Sequence, residues 1–223
     1  MSTVTVNIVD IFAIIPVKDF NVSKKRLSSV LNPEQRNALT AAMLEDVLTA
    51  VKASIIKQVL VVSPDPTAQK IADKFKFAFL SPKDTDLNPS LNEAIEWCIQ
   101  READAVLILP ADIPLVLQQD IDRLVELGSE KSTIVLSPSM NGGTNALLLN
   151  PASVVPVCFG PGSFFEHIKE AIIGKIEVRF YYSREIALDI DSEEDLNKLS
   201  ELKSLFRYKQ VFKQIDSLRK RNE

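Results

Sequence analysis

Three short runs of apolar residues, Ile11-Phe-Ala-Ile-Ile-Pro-Val17, Val59-Leu-Val-Val62 and Val106-Leu-Ile-Leu109, most constrain what this chain can fold into. None alternates apolar with polar residues, so each predicts a strand covered on both faces, as in parallel sheets packed between helices. The intervening segments have helical spacing. Asn32-Pro33-Glu-Gln35 supplies an N-cap, a first-turn proline and a capping-box partner, and Leu39, Ala42, Met43, Val47, Ala50 and Val51 follow on one helix face. Ser63-Pro-Asp-Pro66 opens a second helix through Ala68 and Ile71, and Phe77 to Leu80 is a short strand. A β-α-β-α-β order is set by residue 80.

The second half continues the alternation. Ser90-Leu-Asn-Glu93 reads as another capping box heading the stripe Leu91, Ala94, Ile95 and Cys98, while Ile121, Leu124 and Val125 mark a helix beyond Pro114. Thr133 to Leu136 and Ala146 to Leu149 are strands, joined by Ser137-Pro-Ser-Met-Asn-Gly-Gly-Thr144, which is longer than a tight hairpin needs. Phe164, Phe165, Ile168 and Ile172 make a helix after Gly160-Pro-Gly162; Val178 to Tyr182 and Ile186 to Ile190 are late strands; Ser192-Glu-Glu-Asp195 caps a further helix. From Leu202 to Arg221 the chain is amphipathic and basic, as a packing or dimer helix would be. The expectation is one α/β domain over residues 1–223, with an open, mostly parallel, mixed sheet, helices on both faces, a core at about 11–199 and a C-terminal amphipathic helix over 200–223. A chain of 223 residues with 46% hydrophobic content suits one such core, and no repeat or linker divides it.

A formal charge of −4 excludes nucleic acid or an anionic membrane as a partner of the whole surface, so any anion site must be local. Cys98 and Cys158 fit no metal-ligand spacing and read as small hydrophobes of a reducing compartment. Met1 to Ile15 carries no basic leader, and its apolar run is too short to span a membrane. The expectation is a soluble cytoplasmic protein.

Four loops carry groups suited to chemistry. Lys18, Lys24, Lys25 and Arg26 directly follow the first strand, where an open α/β sheet binds ligands; they suit a triphosphate, or else form a solvated charge run. Their loop has no glycine, which counts against a P-loop. Asp112 lies between Pro110 and Pro114, just past the buried strand Val106–Leu109. Asp189 and Asp191 alternate along an expected strand and face one side, so with Asp112 they offer three hard oxygen ligands for Mg²⁺; Asp191 equally suits a helix cap. Four of the six glycines, Gly142, Gly143, Gly160 and Gly162, fall in two loops. There Thr144, Ser163 and the amides from Gly160 to Ser163 at a helix start suit a small phosphorylated acid. His167, the lone histidine, sits beside Phe164 and Phe165 and reads as a packing residue with a partner before it reads as a general base. Nothing forms a Ser-His-Asp or Cys-His nucleophilic set.

Together, Ile15-Pro-Val-Lys18 with Lys25-Arg26-Leu27, Leu109-Pro-Ala-Asp-Ile-Pro-Leu115, Gly142-Gly-Thr-Asn-Ala-Leu-Leu148, Phe159-Gly-Pro-Gly-Ser163 and Leu188-Asp-Ile-Asp191 resemble the 2-phospho-L-lactate guanylyltransferases of coenzyme F420 biosynthesis, the CofC family. The resemblance implies a GT-A-like nucleotidyltransferase that joins GMP from GTP to 2-phospho-L-lactate and releases pyrophosphate, working as a homodimer with Mg²⁺ or Mn²⁺. By the same resemblance Asp112, Asp189 and Asp191 hold metal, and Lys18, Lys25, Arg26 and Asn92 meet GTP. Thr144, Gly160 and Ser163 hold the acid, and Asp112, Lys18 and Lys25 carry the catalysis. Phe20-Asn-Val-Ser23, where the family has small residues, and Ser90, where it has glycine, depart from the pattern. Phosphoenolpyruvate, a sugar phosphate or a molybdopterin-type acceptor would use the same chemistry. A non-catalytic nucleotide-binding regulator is the alternative from another class.

Overall fold

The computed structural model describes residues 10–206 and 209–219. Among them seven strands form one sheet: β1 (Ile11–Pro16), β2 (Gln58–Val62), β3 (Ala78–Leu80), β4 (Ala105–Ile108), β5 (Thr133–Pro138), β6 (Thr144–Asn150) and β7 (Glu177–Phe180), in the order β3-β2-β1-β4-β6-β5-β7. β6 is antiparallel to β4 and to β5, whereas the other pairings are parallel, so β6 alone runs against the rest. The sheet is therefore open, mixed and mostly parallel, as expected.

Alternation along the buried strands feeds two cores. Ala13, Ile15, Leu107 and Leu148 face the side covered by α1 (Pro33–Ala53), α2 (Pro66–Phe75) and α4 (Gln118–Leu127). Phe12, Ile14, Val106 and Leu147 face α3 (Leu87–Ile99) and α5 (Ser163–Gly174). A third cluster, including Leu27, Leu39, Met43, Leu188 and Ile190, is closed by α7 (Glu193–Glu201), α8 (Lys203–Phe206) and α9 (Gln210–Arg219), whereas α6 (Arg184–Ala187) buries Ile186 in the first core. Val211, Phe212 and Ile215 of α9 are buried there, and the Asp46 carboxylate of α1 accepts the N–H groups of Gln210 and Val211 at 2.8 Å each. The C-terminal stretch thus packs on the domain's own α1; residues 207, 208 and 220–223 of the expected helix lie outside the described residues. Among the described residues no helix is long and apolar enough to cross a membrane.

Three local expectations are corrected. The helix read from Ser90 begins at Leu87 instead; Ser90 is buried inside its first turn, its hydroxyl donating back to the carbonyls of Asp84 and Asp86, and Glu93 accepts from Lys83 rather than closing a box. The Ser137–Thr144 connection is shorter than read, because β5 and β6 extend to Pro138 and Thr144 and Ser139 N–H donates to Gly143 across the turn. Ile186 to Ile190 is not a strand. Ser183 caps Ile186 N–H and starts the turn of α6, and Asn145 takes the carbonyls of Ile186 and Ala187, so those groups are not available to a ladder.

Candidate active site

The carboxyl ends of β1 and β4 lie side by side, and β6, running the other way, begins at that same edge. Four segments meet there: the loop after β1, the Pro110–Pro114 loop after β4, the start of β6, and the link from α6 to α7. The loop after β1 is anchored rather than solvated. Phe20 is buried in the core and its N–H donates to Asp65, which also caps α2, while the Ser23 and Thr40 hydroxyls share a hydrogen bond of 3.0 Å. The departure Phe20-Asn-Val-Ser23 is thus the loop's fastening.

That fastening turns Lys24 inward. Its backbone is left-handed, with φ 52°, and its side chain is only 6% exposed. The ammonium donates to Asp112 Oδ2 at 2.8 Å and to Asp191 Oδ1 at 2.6 Å. Burial by itself would push Lys24 down, but the charges of Asp112 and Asp191 hold it above the ordinary lysine value. Burial pushes Asp191 up, yet Lys24 foremost, then Lys18 and Arg26, bring it below the usual carboxylate range. Asp189 shifts the other way: burial raises its pKa, the Asp112 and Asp191 carboxylates add to the rise, and the hydrogen bond from Asn145 Nδ2 at 3.1 Å opposes it. The backbone joins the segments as well, since Ile190 N–H donates to Asp112 O at 3.0 Å. Asp191 is not a helix cap; Ser192 is the N-cap of α7 and Asp195 closes the box. The three aspartates therefore form one electrostatic cluster. Among the described residues, however, no three metal-ligating side chains converge on one point, because Lys24 stands between Asp112 and Asp191 and Asp189 is turned to Asn145.

Beside this charged cluster lies a neutral one. Ser163 Oγ donates to Thr144 Oγ1 at 3.2 Å, and Thr144 Oγ1 is 3.1 Å from His167 Nδ1. His167 Nε2 accepts the Cys158 N–H at 3.0 Å, so the ring proton is on Nδ1 and points at Thr144. Burial pushes the imidazole down to about 4, with the Ser163 backbone opposing, and its ring packs edge-on against Phe159. His167 is the partner-satisfied packing residue the sequence favoured. Gly162 N-caps α5 at φ 71°, and Gly160 has φ 144° with open space where a Cβ would be, so backbone conformation rather than crowding calls for glycine at both. With no side chain at the cap, the first amides of α5 turn to backbone: Ser163 N–H donates to Gly160 O and Phe165 N–H to Gly162 O, at 3.1 Å each.

Most of the expected site residues gather here. Asp112, Asp189 and Asp191 share one cluster, Lys18 and Arg26 act on it through Asp191, and Thr144 and Ser163 touch each other. Lys25 lies exposed in the short 3-10 turn Lys25–Leu27, Gly160 is exposed, and Asn92 is exposed on α3. One turn before Asn92, Asn88 makes the structural contact: it donates to Phe159 O at 3.0 Å and accepts Phe159 N–H at 2.8 Å, fixing the loop that leads to Gly160. Asn88 and Asn145 are residues that the sequence did not single out, and Lys24, read there only as one of four cations for a triphosphate, turns to the carboxylates instead. Asn145 left one signal, a polar residue at the start of a strand otherwise apolar to Leu149, which needs buried partners.

The description "Guanylyl transferase CofC like" belongs to the family model that matches residues 11–213. A phosphoenolpyruvate guanylyltransferase of Rubrobacter xylanophilus is 40% identical over 190 residues, covering 85% of this chain and 93% of that one. A 2-phospho-L-lactate guanylyltransferase of Methanothermobacter thermautotrophicus is 39% identical over 188 residues, covering 84% of this chain and 82% of that one. Among solved structures, a putative nucleotide-diphospho-sugar transferase from Desulfovibrio desulfuricans G20 has the same fold, with a TM-score of 0.78 at 17% identity over 94% of this chain and 96% of the other. The anchored cation loop, the acidic cluster and the glycine-capped helix are thus features of a nucleotidyltransferase, and the chain belongs to the CofC-like guanylyltransferase family.

Proposed function

We propose that this protein transfers the GMP part of GTP to 2-phospho-L-lactate. A phosphate oxygen of the acid attacks the α-phosphorus of GTP in line, one P–O bond forms as the bond to the β-phosphate oxygen breaks, and pyrophosphate leaves. The observation that carries this reading is the pairing, at one sheet edge, of a carboxylate cluster flanked by Lys18 and Arg26 with a glycine-capped helix start beside two hydroxyls. Three carboxylates against one buried ammonium leave excess negative charge on hard oxygens, so Asp112, Asp189 and Asp191 suit Mg²⁺ or Mn²⁺. When bound, that ion would neutralise charge developing on the reacting phosphates. Lys18, Arg26 and the exposed Lys25 steady the triphosphate and the departing pyrophosphate, with Asn92 nearest the base. Thr144, Ser163 and the Gly160–Ser163 amides orient the acid, and positioning supplies much of the rate.

A second acceptor, phosphoenolpyruvate, is favoured by the name of the Rubrobacter relative. Mass spectrometry of the product from GTP, Mg²⁺ and the two acids in equal amounts is the test. Guanylylated phospholactate as the main product is the expected result. Predominance of guanylylated phosphoenolpyruvate would replace the acceptor, and transfer only to a sugar phosphate would overturn both.

A further inference from the structure

Of the loop's four cations, Lys18, Lys24, Lys25 and Arg26, Lys24 is the one that the fold takes out of solvent, and it is placed at a cost. Its left-handed φ of 52° is uncommon for a residue with a Cβ, and such a conformation persists only where the surroundings impose it. Here they do: Phe20 and Ser23 fix the chain on one side, and Leu27 N–H donates to Lys24 O at 2.9 Å on the other. The outcome is an ammonium bonded to one oxygen from each of two carboxylates that come from distant parts of the sequence. A cation in that position does what a metal ion does: it lets like charges sit together.

We propose that Lys24 is a resident counter-ion of the carboxylate cluster, holding Asp112 and Asp191 together until a divalent cation displaces its ammonium from them. The inference rests on the reading of Asp112 and Asp191 as metal ligands. Displacement leaves the ammonium of a nearly buried side chain without its partners, which is unfavourable unless another anion receives it. The four-carbon stem of lysine lets the ammonium swing without moving the backbone, and the triphosphate is the anion that arrives at this edge. Binding of the divalent ion and of GTP are then coupled through one side chain. Lys24 is a positioning residue that keeps an empty site assembled and weakens binding of the ion alone.

The sign of the effect separates this role from a structural one. Mn²⁺ binding without nucleotide, read by electron paramagnetic resonance of free Mn²⁺, is compared in wild type, Lys24→Met and Asp112→Asn, with thermal melting confirming that each is folded. Lys24→Met is expected to bind Mn²⁺ about tenfold or more tightly than wild type, as removal of a competing ion-pair partner requires; Asp112→Asn is expected to lose binding. A lysine that merely supports the fold gives the opposite sign, weaker binding. Equal or weaker binding by Lys24→Met, with Asp112→Asn still losing it, overturns the counter-ion role alone. Absence of Mn²⁺ binding in wild type and Lys24→Met overturns the metal assignment and the inference with it. Wild-type protein gives a second readout that needs no variant. Saturating Mn²⁺ is expected to raise acetylation of Lys24 severalfold in peptide mass spectrometry, against exposed Lys18 and Lys25 as internal standards. Unchanged labelling of Lys24 with Mn²⁺ bound would mean that the ammonium stays on the carboxylates, and would also overturn displacement.

Discussion

The charged and the neutral halves of the site are built on opposite plans. Asp112, Asp189, Asp191 and Lys24 come from three segments, and ion pairs join the nearly buried Lys24 ammonium to the partly exposed carboxylates of Asp112 and Asp191, the latter 44% exposed at its side chain. Thr144, Ser163 and His167 are buried, and their hydrogen bonds run in one determined direction from Cys158 N–H through the imidazole to the threonine hydroxyl. The first arrangement is adjustable, because charges in a polar environment can exchange partners. The second is fixed, because any unmet group in it would be buried. A transferase needs both: a place where phosphates and a cation can enter and leave, and a rigid cradle that orients the acceptor.

The comparison breaks most visibly at Asp112. Asparagine keeps the shape but removes the charge, leaving Lys24 with Asp191 alone. Steady-state assay of pyrophosphate release is expected to show kcat reduced by roughly a thousandfold, the scale at which a key electrostatic stabiliser acts. Melting behaviour changes little, since the residue is partly exposed and Ile190 still bonds its carbonyl. Turnover near the wild-type rate would mean that the charged half is not where transfer occurs.

On the neutral half the expected signature is pH-dependent stability. Folded His167 is held down to about 4 against an ordinary 6.5, so as pH falls below about 6.5 the unfolded chain takes up a proton that the folded chain refuses until near 4. Stability present above pH 6.5 is therefore lost through that window, by on the order of 3 kcal/mol. Burial pushes Asp46 up to about 6, which gives the opposite slope over part of the same range. The difference between wild type and His167→Gln is accordingly the quantity to measure, by urea unfolding from pH 4 to 7. Parallel curves would show that His167 is not held neutral by its surroundings.

How much of this was legible in the sequence follows from the kind of force that places each residue. The sheet and its helices were legible because burial on two faces writes itself as apolar runs and helical stripes, as in Ile11–Pro16 and Pro33–Ala53. Asp112 was legible for the same reason, being the first charge past a buried strand. Asp189 and Asp191 were found by spacing, but on a strand that does not exist, since the Ser183 cap and the side chain of Asn145 decide that segment. Lys24 was one of four neighbouring cations with nothing local to single it out; its selection depends on Phe20 being drawn into the core and on a left-handed backbone. Such tertiary choices leave no period in the chain.

Asn145 joins the two halves and offers the finest test of their separation. The β5–β6 register shifts between Ser137 and Pro138, so that Ala146 stands opposite Ser137 and Thr144 opposite Pro138, leaving Asn145 as the extra residue. A shift of this kind re-aims side chains at the end of a ladder. Thr144 is thereby turned to His167 on α5, and Asn145 to α6, where its amide donates to Ile186 O at 2.9 Å and to Asp189 Oδ1 at 3.1 Å. Replacing Asn145 by alanine removes the donor that steadies Asp189 and leaves Thr144 with its partners. The expected result is kcat lower by about tenfold, as for loss of a residue that orients a ligand side chain, with the KM for the acid little changed. A rise in that KM at constant kcat would reverse the assignment, because it would place Asn145 with the cradle of the acceptor instead of with the carboxylates.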